Sequence, residues 1–227
     1  MIIFTIVYPK NDRLAEGAQQ AIYDRFGPRP DLSSRRVVQY VKVQDSASFA
    51  FRLIRNRNND IPLTVELLGG YGITTKDVFE NYKLGNPRSK LIEDCNLEFG
   101  LSKVCVLGRP PLPKPNWSSD RYSESNIQGE RFFFGQPLIV ATKSVYLNLT
   151  LEYFKKQNVN PKIITPWYGD LEGLVELMWA IEPPSIAPLG ADLIVESVET
   201  GKTAEENGLI EYDKIMDSRA IWIRNPK

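Results

Sequence analysis

The segment 196–203 carries residue types that suit a sugar phosphate, and it directly follows the strand-like apolar run 193–195. Gly201 lets backbone N–H groups approach an anion closely, while Thr200 and Thr203 add hydroxyl donors. The short helix that we expect to follow points its positive end at the same place. This order of residues predicts an anion-binding turn.

Two carboxylates precede the turn. Glu196 and Glu199 can accept hydrogen bonds from vicinal ribose hydroxyls, or hold a magnesium ion through water. The run Gly201-Lys202-Thr203 also occurs in P-loops, but a P-loop requires glycine at position 196, where this chain has glutamate. A P-loop is therefore excluded, whereas a helix-start turn without a ligand remains the alternative interpretation.

Composition narrows the chemistry further, because the 227 residues include no histidine. Ser-His-Asp and Cys-His nucleophiles and His-based zinc sites are thereby excluded. With 28 basic and 28 acidic residues, the chain shows no general preference for nucleic acid or a membrane surface. No apolar run approaches the roughly 20 residues of a membrane span. Cys95 and Cys105, without a secretion signal, indicate reduced thiols in a cytoplasmic protein.

Short Val- and Ile-rich runs alternate with helical patterns along the chain, which predicts parallel sheets packed by helices. The expected strands are 2–8, 37–43, 70–74, 103–107, 138–142, 162–165, 193–196, 211–216 and 220–223. The expected helices are 13–25, 46–56, 75–82, 149–157, 171–181 and 203–207.

Two segments interrupt this alternation and predict domain boundaries. Residues 108–130 hold four prolines and form a long loop, and the proline-rich run 183–188 cannot continue a helix. We therefore expect a discontinuous first lobe, 1–107 plus 189–227, with a second lobe, 108–188, inserted into it. A ligand cleft between two such lobes is expected.

Segments resembling the ATP phosphoribosyltransferase family, which opens histidine biosynthesis, occur in the family's order over nearly the whole chain. Among them, RNNDIP at 57–62, GITTKDV at 72–78 and the run from Gly190 to Leu209 are similar to family motifs. Further similar segments lie at 8–14, 99–103 and 141–154. The chain departs from the family pattern at Asn11, Gly70 and Thr75.

The resemblance implies an α/β chain with the two-lobed periplasmic-binding-protein type II-like fold. It implies transfer of the phosphoribosyl group from phosphoribosyl diphosphate to N1 of ATP, with substrate-bound Mg²⁺. It further implies a cytoplasmic homo- or hetero-oligomer, with a synthetase-like regulatory subunit as the expected partner. The departures leave two alternatives open: a phosphoribosyltransferase with a different acceptor, and a non-catalytic ligand-binding protein on the same fold.

The resemblance also implies roles for particular residues. The expected 5-phosphate ligands are Thr200, Gly201, Lys202 and Thr203, and the expected ribose ligands are Glu196 and Glu199. The expected catalytic residues are Glu196, Lys10 and Arg13, because the cations can stabilise charge on pyrophosphate or on ATP. The expected nucleotide-binding residues are Arg57, Thr74 and Lys10, and no protein metal ligand is expected.

Overall fold

The computed structural model describes residues 2–10, 12–42, 49–109, 138–166, 171 and 191–226. Residues 110–130 of the expected loop and 172–181 of one expected helix lie outside this described part. Within the described part, no helix is long and apolar enough to cross a membrane.

The chain divides into two compact units, which we call unit 1 (1–101 and 218–227) and unit 2 (102–217). These bounds differ from the expected 1–107 plus 189–227 and 108–188. The reason is strand pairing: strands β6 (Ser102–Gly108) and β9 (Leu193–Val198) pair with each other in the sheet of unit 2. Both strands therefore belong to unit 2, although the sequence analysis assigns them to the first lobe.

Unit 1 is built on a six-stranded sheet in the order β2-β3-β1-β4-β11-β5. Its strands are β1 (Ile2–Pro9), β2 (Val38–Lys42), β3 (Phe49–Asn56), β4 (Tyr71–Thr75), β5 (Ile92–Asn96) and β11 (Ala220–Arg224). β1 pairs in parallel with β3 and β4, whereas β2 and β11 run antiparallel to their partners. The sheet is mixed, and the prediction of parallel sheets is corrected in this respect.

The prediction of a helix over 46–56 is wrong, because this stretch contains β3. β3 lies between β1 and β2, so both of its hydrogen-bonding edges are filled by neighbouring strands. A short apolar run fits a buried strand and a helix equally well by periodicity, and here sheet pairing decides. Helix α2 (Ile61–Leu68) and β5 are additional elements that the sequence analysis does not predict.

Helices cover both faces of this sheet. Helix α1 (Asp12–Phe26) buries Ala15, Ala18 and Ile22, whose spacing defines one helical face. α1 packs over Tyr8 and Trp222, while α2 and α3 (Lys76–Gly85) cover the opposite face.

Unit 2 holds a five-stranded sheet in the order β10-β6-β9-β7-β8. The remaining strands are β7 (Ile139–Thr142), β8 (Lys162–Ile164) and β10 (Ile210–Ser218). β9 is parallel to β7 and antiparallel to β6, so this sheet is mixed as well. Helix α4 (Leu147–Lys156) packs on one face, and the short α5 (Lys202–Glu206) packs on the other through Ala204.

Candidate functional site

The carboxyl end of β7 lies beside β9 in unit 2, because the two strands are parallel neighbours. Thr142, the last residue of β7, stands opposite Val195, so Lys143, which follows β7, lies beside Glu196, a residue of β9. In open α/β sheets the carboxyl ends of parallel strands are where ligands bind.

Glu196 is held by two contacts at this edge. Its side chain is 11% exposed, and Oε2 lies 2.7 Å from Nζ of Lys143. Oε1 accepts a hydrogen bond from the backbone N–H of Ser197 at 3.1 Å. A buried carboxylate is tolerated when it is paired in this way, and pairing also fixes the direction in which it points.

Hydroxyl groups beneath the ion pair fix the end of β7. Thr142 Oγ1 donates to the carbonyl oxygen of Val195 at 3.1 Å, and it lies 3.3 Å from Oγ1 of Thr150. Thr150 in turn donates to the carbonyl oxygen of Tyr146 at 2.8 Å. These bonds connect β7 to β9 and to α4, so they fix the backbone at the end of β7, directly before Lys143.

The predicted anion-binding turn follows β9 directly. Gly201 adopts φ +79°, a left-handed conformation that glycine adopts without steric cost, and α5 begins at the next residue. Thr200 Oγ1 accepts a hydrogen bond from the backbone N–H of Lys202 at 3.4 Å. Thr200, Lys202 and Thr203 are exposed, so their donors are accessible to a ligand. The structure thus brings the expected phosphate-binding residues together in one tight turn.

Glu199 and Lys202 are held less firmly than Glu196. Glu199 is exposed, and the Lys202 side chain, 78% exposed, lies 3.7 Å from Glu206 one turn further along α5. Surface pairs of this kind contribute little to stability. The structure therefore distinguishes one largely buried carboxylate, Glu196, from charged side chains that are exposed to solvent.

A second edge, in unit 1, gathers the cations that the sequence analysis assigns to nucleotide or pyrophosphate. β3, β1 and β4 are parallel neighbours, and Lys10 follows β1 while Arg57 follows β3. The backbone N–H of Lys10 donates to the carbonyl oxygen of Asn56 at 2.8 Å, which ties the two exits together. Arg13 lies in the first turn of α1, three residues after Lys10, and all three cations are exposed.

Thr74 lies near the same edge but points inward. Its side chain is buried at 1% exposure, and Oγ1 donates to Oδ1 of Asn58 at 2.9 Å. Thr75 is also buried, and its Oγ1 accepts a hydrogen bond from Nδ2 of Asn58 at 2.7 Å rather than capping α3. Both hydroxyls are therefore engaged within the protein.

The sequence departure at Gly70 has a local explanation. Gly70 adopts φ +85°, and a Cβ atom there would lie 2.2 Å from the carbonyl oxygen of Thr5. It precedes β4, at the opposite end of the strand from Thr75. This departure answers a packing requirement away from the edge that carries Lys10 and Arg57. Asn11 lies outside the described residues.

Other ionisable groups are placed by the fold in structural roles. Burial raises the pKa of Asp192, although Oδ2 accepts a hydrogen bond from the backbone N–H of Ile139 at 2.8 Å. Cys95 and Cys105 are free thiols, and burial raises the pKa of Cys105 to about 12. In the described part of the chain, no three His, Cys, Asp or Glu residues are grouped closely enough to hold a metal ion.

Sequence reasoning does not identify Lys143 and Asn58 as functional residues. Lys143 lies within the family-like segment 141–154, so a signal exists, but its partner is 53 residues away. Asn58 likewise lies within the family-like segment 57–62, but its contacts depend on the order of strands in the sheet and cannot be read from that segment.

Comparisons with known proteins agree with this architecture. The family model described as ATP phosphoribosyltransferase matches residues 57–227. An ATP phosphoribosyltransferase from Campylobacter concisus is 29% identical over 226 residues, covering 98% of this chain and 88% of the relative.

Solved structures extend the comparison to the fold. The ATP phosphoribosyl transferase (HisG:HisZ) complex from Thermotoga maritima superposes with a TM-score of 0.65 and 21% identity, covering 98% of this chain and 88% of that chain. The periplasmic aliphatic sulphonate binding protein SsuA from Escherichia coli superposes with a TM-score of 0.47 and 10% identity, covering 99% and 65%. The two mixed sheets in two units, together with the Thermotoga maritima structure, confirm the expected α/β class.

Proposed function

Since the chain belongs to the ATP phosphoribosyltransferase family, we propose that unit 2 binds phosphoribosyl diphosphate and that unit 1 binds ATP, each at the edge described above. The chain is a glycosyltransferase of histidine biosynthesis with ATP phosphoribosyltransferase activity. The observation that carries the division of substrates is the pairing of Glu196 with Lys143 immediately before the Gly201 turn.

The donor is bound by a turn that offers hydrogen-bond donors to the 5-phosphate. Backbone N–H groups at Gly201 and the hydroxyls of Thr200 and Thr203 meet the phosphate oxygens, with the Lys202 ammonium nearby. Glu196 and Glu199 accept hydrogen bonds from the two ribose hydroxyls. Because Glu196 is already fixed by Lys143, it orients the ribose with little further loss of freedom.

The acceptor is bound by cations at the edge of unit 1. Lys10 and Arg57 follow neighbouring parallel strands and present positive charge to the phosphates of ATP. Arg13, at the start of α1, together with Lys10 stabilises negative charge on ATP or on the departing pyrophosphate. Thr74 contributes through its position in β4, since its hydroxyl is engaged with Asn58.

The reaction is a displacement at C1 of the ribose. The lone pair on N1 of the adenine forms the new bond to C1, and the bond from C1 to the pyrophosphate oxygen breaks with its electron pair leaving on pyrophosphate. Positive charge develops on the ribose, where Glu196 stabilises it, and negative charge develops on pyrophosphate. Positioning and charge stabilisation suffice, so the chain needs no nucleophile and no histidine.

Mg²⁺ is proposed to enter with the diphosphate of the donor. Magnesium in such sites is held by substrate phosphates and by one or two carboxylates, often through water. Glu196 and Glu199 precede the phosphate turn, where they would hold such an ion through water. When bound, the ion neutralises charge on the diphosphate.

A synthetase-like regulatory subunit is the proposed partner, in a hetero-oligomer located in the cytoplasm. The Thermotoga maritima protein that shares this fold was solved as a HisG:HisZ complex. Copurification and light scattering with a synthetase-like subunit from the same organism test the partnership. If light scattering of the mixture shows no species larger than the chain gives by itself, the proposed hetero-oligomer is contradicted.

The decisive assay mixes the purified chain with ATP, phosphoribosyl diphosphate and Mg²⁺, with and without that subunit. Phosphoribosyl-ATP and pyrophosphate should appear in equal amounts. Glu196→Gln keeps the shape of the side chain and removes its charge, so it should lower kcat. The proposal fails if neither mixture forms product.

A further inference from the structure

Asn58 makes an unusually complete set of contacts for a polar residue in a turn. Its side-chain Nδ2 donates to Oγ1 of Thr75 at 2.7 Å. Its Oδ1 accepts from Oγ1 of Thr74 at 2.9 Å and from the backbone N–H of Thr75 at 3.3 Å. Both ends of one side-chain amide are therefore used on the last two residues of β4.

These contacts join elements that are not neighbours in the sheet. Asn58 begins the 3₁₀ turn Asn58–Asp60 after β3, whereas β1 separates β3 from β4. The side chain thus reaches past the carboxyl end of β1, from which Lys10 emerges. Since Lys10 is itself bonded to Asn56, the three strand ends form one connected set.

The geometry around Arg57 depends on this set. Arg57 has an extended backbone, φ −64° and ψ 142°, and it lies between β3 and the residue that makes the link. Its side chain is exposed, and its backbone carbonyl accepts a hydrogen bond from the N–H of Asp60 at 3.0 Å within the same turn. The bonds of Asn58 tie this turn to β4 on the carboxyl side of Arg57, and the end of β3 holds it on the amino side.

We propose that Asn58 is a positioning residue for the nucleotide acceptor: it holds the turn that carries Arg57 against the end of β4. Arg57 and Lys10 then present their charges in one fixed arrangement before ATP arrives. Pre-ordering of this kind raises affinity because less freedom is lost on binding. The inference rests on the proposed function, which places ATP at this edge.

Asn58→Ala tests the inference directly. It should raise KM and Kd for ATP about tenfold while changing KM for phosphoribosyl diphosphate less than twofold, because only the acceptor edge loses its link. The matched control is Asn225→Ala, which removes another amide bond in unit 1, from Nδ2 to the carbonyl oxygen of Glu66 at 3.1 Å. The control should leave KM for ATP unchanged even if its Tm falls.

A second pair of variants covers a failure of Asn58→Ala to fold. Thr75→Val removes the hydroxyl that accepts from Asn58, whereas Thr75→Ser keeps it. Thr75→Val should raise KM for ATP, whereas Thr75→Ser should leave KM for ATP close to that of the unsubstituted protein. Combining Asn58→Ala with Thr75→Val should be no worse than Asn58→Ala alone, because Asn58→Ala already removes the contact that Thr75→Val breaks.

The outcomes separate this inference from the proposed function. If Arg57→Ala raises KM for ATP and Asn58→Ala does not, the positioning role of Asn58 is wrong while the acceptor site stands. If Arg57→Ala and Lys10→Ala both leave KM for ATP unchanged, the acceptor site itself is misplaced.

Discussion

Lys143 directly follows β7, Glu196 lies within the neighbouring parallel strand β9, and their charged groups meet at 2.7 Å. This ion pair lies just before the turn at Gly201, so in the proposed donor site it links the stability of unit 2 to donor binding. Lys143 is 38% exposed and Glu196 11% exposed, which places the buried charge on the carboxylate. Loss of the lysine therefore leaves the costlier partner unpaired.

Lys143→Met should lower both the stability of the protein and its affinity for phosphoribosyl diphosphate. We expect the free energy of unfolding to fall by about 1–2 kcal/mol, because a mostly buried carboxylate loses its partner while the exposed lysine side limits the loss. KM for phosphoribosyl diphosphate should rise about tenfold, and KM for ATP should change little. Urea unfolding and steady-state kinetics measure the two effects.

A double-mutant cycle provides the control for this prediction. The double variant Lys143→Met/Glu196→Gln should be more stable than the single variant Lys143→Met, because the double variant leaves no unpaired charge at this position. Strictly additive effects in stability would contradict a direct pairing.

Thr203→Val tests the phosphate turn. Thr203 is exposed at the start of α5, so its replacement by an isosteric side chain should disturb the fold little. If the hydroxyl contacts the 5-phosphate, affinity for phosphoribosyl diphosphate should fall by about 1–3 kcal/mol, measured by calorimetry. Thr203→Ser, which keeps the hydroxyl, should leave the affinity nearly unchanged. An unaltered affinity in Thr203→Val would move the phosphate elsewhere.

Gly201→Ala isolates the effect of backbone conformation. A Cβ atom at this position would come no closer than 3.9 Å to a neighbour, Cγ1 of Val198, so no clash is introduced. The φ of +79° is nevertheless unfavourable for alanine. We expect a stability loss of about 1 kcal/mol and weaker donor binding as the turn relaxes.

Gly201→Asn serves as the comparison, because asparagine tolerates the left-handed region better than alanine. It should recover part of the lost stability. Equal stability of the alanine and glycine proteins would show that the turn is not constrained by φ at this residue.

The strand and turn of the proposed donor site could be predicted from sequence, because their residues are consecutive. The apolar run of β9 and the polar turn after it specify a strand followed by an anion-binding loop, and the structure places Gly201 in that turn. Lys143 could not be found in the same way, because its closeness to Glu196 depends on the parallel pairing of β7 with β9.

The edge of unit 1 was harder to predict for a related reason. A helix over 46–56 would place Arg57 and Asn58 at a helix end, whereas β3 places them at the carboxyl end of a central strand. Nothing in a short apolar run decides between these structures. The contacts of Asn58 with Thr74 and Thr75 follow only once the order β3-β1-β4 is known.

Asp192→Asn should alter the pH dependence of stability. Burial raises the pKa of Asp192 above its ordinary value of 3.8 in the folded chain. Between the unfolded and folded pKa values the native state binds more protons than the unfolded state, so this group's contribution to stability is lost as pH rises through that window.

Asparagine can still accept the hydrogen bond from the backbone N–H of Ile139 but carries no charge. The stability of the variant minus that of the parent should therefore increase from pH 4 to pH 7 in urea titrations. A flat difference for Asp192→Asn would mean that its charged form is not penalised by burial.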